Sequence, residues 1–216
     1  MQRVVRDEIL DTLPHTHPDA MRSRRDLRVL NWLMGNYRWM RRQLKIHGKS
    51  LDRALELGAG LGDFQRHMSR RNEDTIKIDA LDLCPKPADW PESRRWWQDD
   101  IKQFDRYDDY TVILANLILH HFTDVELLAI GQKISRHARL ILACEPSRRT
   151  LHGMQLKVLG CLGLGPVTKR DGAVSIQAGF RSSELPRALG LDPSRWQWNC
   201  RSGLRGQYFM IAIRVA

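Results

Sequence analysis

Residues Glu56-Leu57-Gly58-Ala59-Gly60-Leu61-Gly62-Asp63 follow the apolar pair Ala54-Leu55, and an isolated acid, Asp82, stands 20 residues beyond Gly62. Glycines at alternate positions after a strand let the backbone turn tightly and come within contact distance of a ligand, because no Cβ stands in the way. A strand, a glycine turn, a helix and an acid at the next strand end make up the start of an open α/β sheet, and here they read as a nucleoside-cofactor site. The alternative is a plain strand-to-helix turn whose glycines serve geometry alone.

The flanking residues discriminate between ligands. A dinucleotide fingerprint places a third Gly or Ala three positions after the second glycine, whereas Asp63 occupies that position here. Carboxylates at Glu56 and Asp63 would also repel a doubly anionic pyrophosphate. S-adenosylmethionine carries no phosphate, and its ammonium and sulfonium suit an acid-flanked loop. Asp82 closes the next apolar stretch, where a carboxylate can accept both ribose hydroxyls.

With these residues the sequence resembles the class I S-adenosylmethionine-dependent methyltransferases, from about Arg53 to the C-terminus. Glu56 to Gly62 matches the first motif of that family, Asp82 its second acidic position, and Trp97-Gln98-Asp99-Asp100-Ile101 the segment that caps the adenine. Val112-Ile113-Leu114-Ala115-Asn116-Leu117-Ile118-Leu119-His120-His121-Phe122 is similar to the strand and loop of bacterial members that act on small molecules. Arg25-Asp26-Leu27-Arg28, Leu30-Asn31-Trp32-Leu33, Val167-Thr168-Lys169-Arg170-Asp171 and Val174-Ser175 also look like that subgroup.

The resemblance implies a Rossmann-like α/β fold. It has a mainly parallel seven-stranded sheet with an antiparallel last strand, and an N-terminal arm and helical lid over residues 1–50 ahead of a methyltransferase domain over 51–216. It implies S-adenosylmethionine as cofactor, held by Glu56, Gly58, Ala59, Gly60, Gly62, Asp82, Leu83, Asp99, Asp100, Ile101, Asn116 and Leu117. The acceptor is expected to be a small aromatic, polyketide-like or quinone-like molecule, methylated on oxygen. Tyr37, Arg170, Asp171 and Ser175 are the candidate acceptor contacts, the last three in a segment whose alternative reading is a polar surface loop.

Sequence pattern bears out an α/β chain independently. Strands are expected at Arg53 to Leu57, Ile76 to Leu83, Arg95 to Gln98, Thr111 to Ala115, Leu140 to Glu145, Ser194 to Asn199 and Gln207 to Val215. Helices are expected at Phe64 to Arg71 and Val125 to His137, the latter opened by the capping box Thr123-Asp124-Val125-Glu126. Leu27, Leu30, Leu33, Met34, Tyr37, Met40 and Leu44 recur at helical spacing and predict one amphipathic helix from Asp26, bent near Gly35. Residues up to about Pro18 read as a loose arm.

In methyl transfer from a sulfonium the protein chiefly aligns the acceptor and excludes water. A phenolic acceptor, with a pKa near ~10, also needs a base, for which His120 and His121 are the candidates. Asn116 ends a strand beside the cofactor and either binds its methionine part or caps loop carbonyls. Glu145 reads as an ion-pair partner of Arg148 or Arg149.

The length of 216 residues fits one domain. A net charge of +10 raises nucleic acid as a partner, but the arginines are scattered and interrupted by acids, so no nucleic acid is expected. An RNA-modifying methyltransferase is the rival enzyme. Against it, Asn116-Leu117-Ile118-Leu119 lacks the Pro-Pro-aromatic tetrapeptide of many base-amino methyltransferases. A non-catalytic binding module is the third reading. Cys84, Cys144, Cys161 and Cys200 form no C-x-x-C pair and read as reduced, mostly buried thiols of a cytoplasmic protein. Neither a signal core nor a membrane span is expected. His15-x-His17 has no companion ligands at a known spacing, so no metal is expected.

Overall fold

The structure is a computed structural model and describes residues 2–14, 16–48, 51–70, 76–161 and 163–215. Its strands are β1 (Arg53–Leu57), β2 (Lys77–Asp82), β3 (Trp96–Gln98), β4 (Val112–Asn116), β5 (Leu140–Pro146), β6 (Trp196–Ser202) and β7 (Gln207–Arg214). They form a seven-stranded sheet in the order β3-β2-β1-β4-β5-β7-β6. The first five run parallel, and β7 lies antiparallel between β5 and β6. The expected strands all form, with ends shifted by a residue or two in most cases and by three at the end of β6.

Alternation along the central strands explains why both faces are covered. Leu55, Leu57, Ile113, Ala115, Ile141 and Ala143 point to one side, and Ala54, Val112, Leu114, Leu140 and Leu142 to the other. Onto the first face pack α5 (Asp124–Ile134) and α8 (Glu184–Ala188), through Leu127, Ile130, Ile134 and Leu185. Onto the second pack α3 (Asn36–His47) and α4 (Asp63–Ser69), through Met40, Leu44, Phe64 and Met68. At the amino edge of the sheet, buried Asp79 accepts from Arg53, Tyr110 Oη and the Arg95 N–H, so its charge is fully occupied.

The N-terminal region departs from expectation. The single bent helix is two: α2 (Pro18–Met34), begun by a proline in its first turn, and α3. Gly35 separates them with φ 74°, a left-handed conformation that ends a helix. Nor is the arm loose, since it contains α1 (Ile9–Thr12), and the Val4 N–H donates to the Gln177 carbonyl. The segment offered as a polar surface loop is α7 (Pro166–Ala178), packed against α6 (Thr150–Cys161).

Of the cysteines, Cys144 is buried but Cys84 and Cys200 are only half-buried, contrary to expectation, and the side chain of Cys161 lies outside the described residues. Among the described residues no helix is long and apolar enough to cross a membrane.

Candidate active site

A cavity of about 1240 Å³ opens at the carboxyl ends of β1, β2 and β4, walled by α1, α2, α6 and α7. This is where ligands bind in open α/β sheets. Its volume exceeds the roughly 300–1000 Å³ that encloses one drug-sized ligand, so it has room for two.

The glycine turn forms one end. Gly58 and Gly60 have φ of 63° and 61°, and a Cβ on Gly58 would stand 2.5 Å from the Ile118 side chain. At Gly60 the space is open, and its N–H donates to Asp82 Oδ2 at 2.7 Å. The other oxygen of Asp82 accepts from the Cys84 N–H at 2.7 Å, which fixes the carboxylate beside the loop with lone pairs to spare. Glu56 is 3% exposed, and its Oε2 has no hydrogen-bond partner among the described residues. Burial first, and then Asp82 and Asp63, push its pKa well above the ordinary carboxyl value. A buried orphan oxygen on the wall fits a cationic ligand, which would satisfy it and restore its charge.

Most of the expected cofactor contacts meet here. Glu56, Gly58, Ala59, Gly60, Asp82, Leu83, Asp99, Asp100, Ile101, Asn116 and Leu117 all line the cavity. Gly62 does not: it caps α4 on the far side, where a Cβ would meet the Trp90 ring at 2.7 Å. The Asn116 Oδ1 accepts from Asn36 Nδ2, which donates to Asn31 as well, so the strand end is tied to α2 and α3.

Of the acceptor candidates, Tyr37, Asp171 and Ser175 line the cavity. Burial raises the Tyr37 pKa, and its ring leans on Phe64 and His67. Arg170 points to solvent from α7 and is not on the wall. Asp171 is buried by the arm, its two oxygens accepting the N–H groups of Ile9 and Leu10 at the start of α1.

Sequence reasoning missed the residues around the two histidines. Glu145, expected as an ion-pair partner of an arginine, serves the turn after β4. Its carboxylate accepts the N–H groups of Ile118, Leu119 and His120 and lies 2.7 Å from His120 Nδ1, while Arg148 pairs with Glu184. Glu8, from the arm, places Oε1 3.4 Å from His120 Nε2 and Oε2 3.9 Å from His121 Nε2, and accepts a hydrogen bond from Ser175. His121 Nδ1 lies 3.1 Å from Asp11. Burial by itself lowers the pKa of His120, but the hydrogen bonds with Glu145 and Glu8 outweigh it and raise the value to about 9. Its two carboxylate partners thus favour the protonated ring. The other flagged pair, His15-x-His17, has its first member outside the described residues.

No family model and no curated protein matches the sequence. Solved structures do resemble the fold. The plantazolicin methyltransferase BpumL, in complex with a triazolic desmethylPZN analog and SAH, superposes with a TM-score of 0.73 over 95% of this chain and 93% of its own, at 10% identity. Magnesium protoporphyrin IX methyltransferase from Synechocystis PCC 6803, with bound SAH, gives 0.58 over 88% and 86% at 15% identity. Human N-acetylserotonin methyltransferase, in complex with SAM, gives 0.60 over 98% of this chain and 63% of its own at 12% identity.

This is the class I methyltransferase fold. Within that fold the glycine turn, Glu56 and Asp82 sit at the strand ends from which a ligand is reached, and α2 and the arm line the cavity beside them.

Proposed function

We propose that this chain is a methyltransferase that uses S-adenosylmethionine to methylate an oxygen of a small, largely apolar acceptor. The observation that carries the reading is the pair of carboxylates about the glycine turn: buried Glu56 with an orphan oxygen, and Asp82 anchored to the Gly60 N–H. Both suit a ligand that is cationic at one end and offers ribose hydroxyls. Bound there, S-adenosylmethionine supplies an electrophilic methyl carbon on a sulfonium. Asp82 would accept the ribose hydroxyls, Glu56 would meet the ammonium, and Leu83 and Ile101 would border the adenine.

The protein's own contribution is alignment, exclusion of water and management of one proton. Leu27, Leu30, Leu33, Met34, Leu156 and Ile176 give the acceptor space an apolar wall. His120, its charged form favoured by Glu145 and Glu8, holds those two carboxylates in place and lowers the cost of an acceptor oxyanion nearby. His121 is left to take the proton. A small acceptor also agrees with the local charge. Although the chain is basic, the wall carries more carboxylates than cations, among them Glu8, Asp11, Asp63, Asp99 and Asp100, which would repel a phosphate backbone.

The test is thermal unfolding with S-adenosylhomocysteine. At a hundredfold excess over Kd a ligand specific to the native state stabilises it by about 2.7 kcal/mol, and Asp82→Ala should remove most of that shift. A melting curve that neither S-adenosylmethionine nor its demethylated product moves would defeat the assignment.

A further inference from the structure

Both histidines of the turn after β4 are held the same way. His120 Nδ1 lies 2.7 Å from Glu145 and His121 Nδ1 lies 3.1 Å from Asp11. A carboxylate on Nδ1 fixes that nitrogen as a protonated one and aims Nε2 the other way, so that a metal displacing the Nε2 proton would meet a lone pair, the arrangement that outer carboxylates give to metal-binding imidazoles. The two Nε2 atoms converge on opposite oxygens of one carboxylate, Glu8, at 3.4 and 3.9 Å. One donor atom from each of Glu8, His120 and His121 lies within 4.8 Å of the other two.

We infer that Glu8, His120 and His121 form a binding site for a first-row divalent cation, with Glu145 and Asp11 orienting the two imidazoles. Neighbouring donors about 2.1 Å from a metal stand roughly 3 Å apart, so the two measured pairs need to close by no more than about 1 Å. Two imidazoles and one carboxylate favour zinc, cobalt(II) or iron(II) over magnesium or calcium, which prefer an all-oxygen shell. All three ligands lie on the cavity wall, and three protein ligands leave coordination positions open. An acceptor oxygen is the natural occupant. This deepens the proposed function and rests on it for that occupant, whereas cation binding itself does not. A cation held there would stand in place of the extra proton on His120 and take over from His120 the stabilising of the acceptor's oxyanion, and by lowering the pKa of a bound acceptor hydroxyl it would replace His121 as the means of losing the proton.

The alternative arrangement of the same atoms is a protonated His120 clamped between Glu145 and Glu8 with no metal. Untagged full-length protein, stripped with chelator and desalted, should be titrated with zinc chloride by calorimetry and with cobalt chloride by visible absorption. One equivalent of zinc should bind, cobalt should give d–d bands of a nitrogen- and oxygen-ligated ion, and magnesium should bind far more weakly. His121→Ala and Glu8→Gln should each raise the zinc Kd at least tenfold. Glu145→Gln should raise it about 10–100-fold without removing a ligand. The thermal shift with S-adenosylhomocysteine, retained in each variant, shows that the fold survives, and if Glu145→Gln does not fold the other two variants decide. Asp82→Ala should lose that shift and keep the metal, which separates failure of this inference from failure of the cofactor assignment. No stoichiometric zinc, binding equal in all variants, or magnesium binding as tight as zinc would each overturn the site.

Discussion

Glu56 is a carboxyl group whose ionisation is opposed by everything around it except a ligand. Its folded pKa lies above the ordinary 4.5 because of burial and the fields of Asp82 and Asp63. Its contribution to stability is therefore full below the unfolded value and lost as pH rises through the folded one. A bound ammonium reverses the sign of the local field and favours the carboxylate. Binding of S-adenosylhomocysteine should then release a proton from Glu56, and affinity should rise with pH until the free protein ionises by itself. Calorimetry in two buffers of different ionisation enthalpy reads the release directly, and Glu56→Gln should abolish it. Buffer-independent heats for the unmodified protein would rule the role out. The residue was findable because an acid at the end of an apolar strand, ahead of alternate glycines, is a local pattern. Glu8 was not findable: nothing in its neighbourhood distinguishes it from Asp7 or Asp11, and its meaning comes from meeting a histidine more than a hundred positions away.

At the scale of elements, strands were legible where both faces are buried, because β-branched and aliphatic runs bounded by glycine and acid have few other uses. The capping box before α5 was equally plain, and the structure closes it with the Thr123 and Glu126 hydrogen bonds in both directions. Helices α6 and α7 were missed because glycines at 153, 160, 163, 165 and 172 break any apolar period into short pieces. Only packing on neighbouring helices makes these segments helical. Glycine itself plays opposite roles in two helices, which gives a paired test. A Cβ on Gly131 of α5 would stand 1.9 Å from the Leu189 carbonyl oxygen at the end of α8, whereas one on Gly153 of α6 meets nothing within 4 Å. Gly131→Ala should destabilise by about 1–3 kcal/mol through overpacking, despite its gain in helix propensity. Gly153→Ala should be stabilising by up to about 1 kcal/mol. Denaturant midpoints of the two variants should move in opposite directions, and a shared direction would mean that the α5–α8 contact is loose.

Over the whole molecule, the N-terminal arm supplies one wall of the cavity at the carboxyl ends of the central strands, through Glu8, Leu10, Asp11, Leu13 and Pro14. It runs along α7, where Asp171 takes the first N–H groups of α1, and ends against the turn after β4. Arg3 fastens that end. It donates to the carbonyls of Ala178 and Phe122 and, at 3.4 Å, His120, pairs with Asp124 and lies over the Phe180 ring. With its side chain 11% exposed, its loss strands carbonyls that water reaches poorly, at a cost of about 1–3 kcal/mol. That cost should fall on the arm more than on the sheet, since the hydrogen bonds of Arg3 run to Ala178, Phe122, His120 and Asp124, all outside the strands. Hydrogen exchange of Arg3→Ala should therefore quicken in residues 2–14 and in the turn at 117–122 while β1, β4 and β5 keep their protection. Ligand release should quicken too, because Glu8 and α1 form part of the cavity wall. If the arm of the unmodified protein already exchanges at the rate of a free peptide, or if the variant loosens the sheet as much as the arm, the picture of a docked closing segment fails.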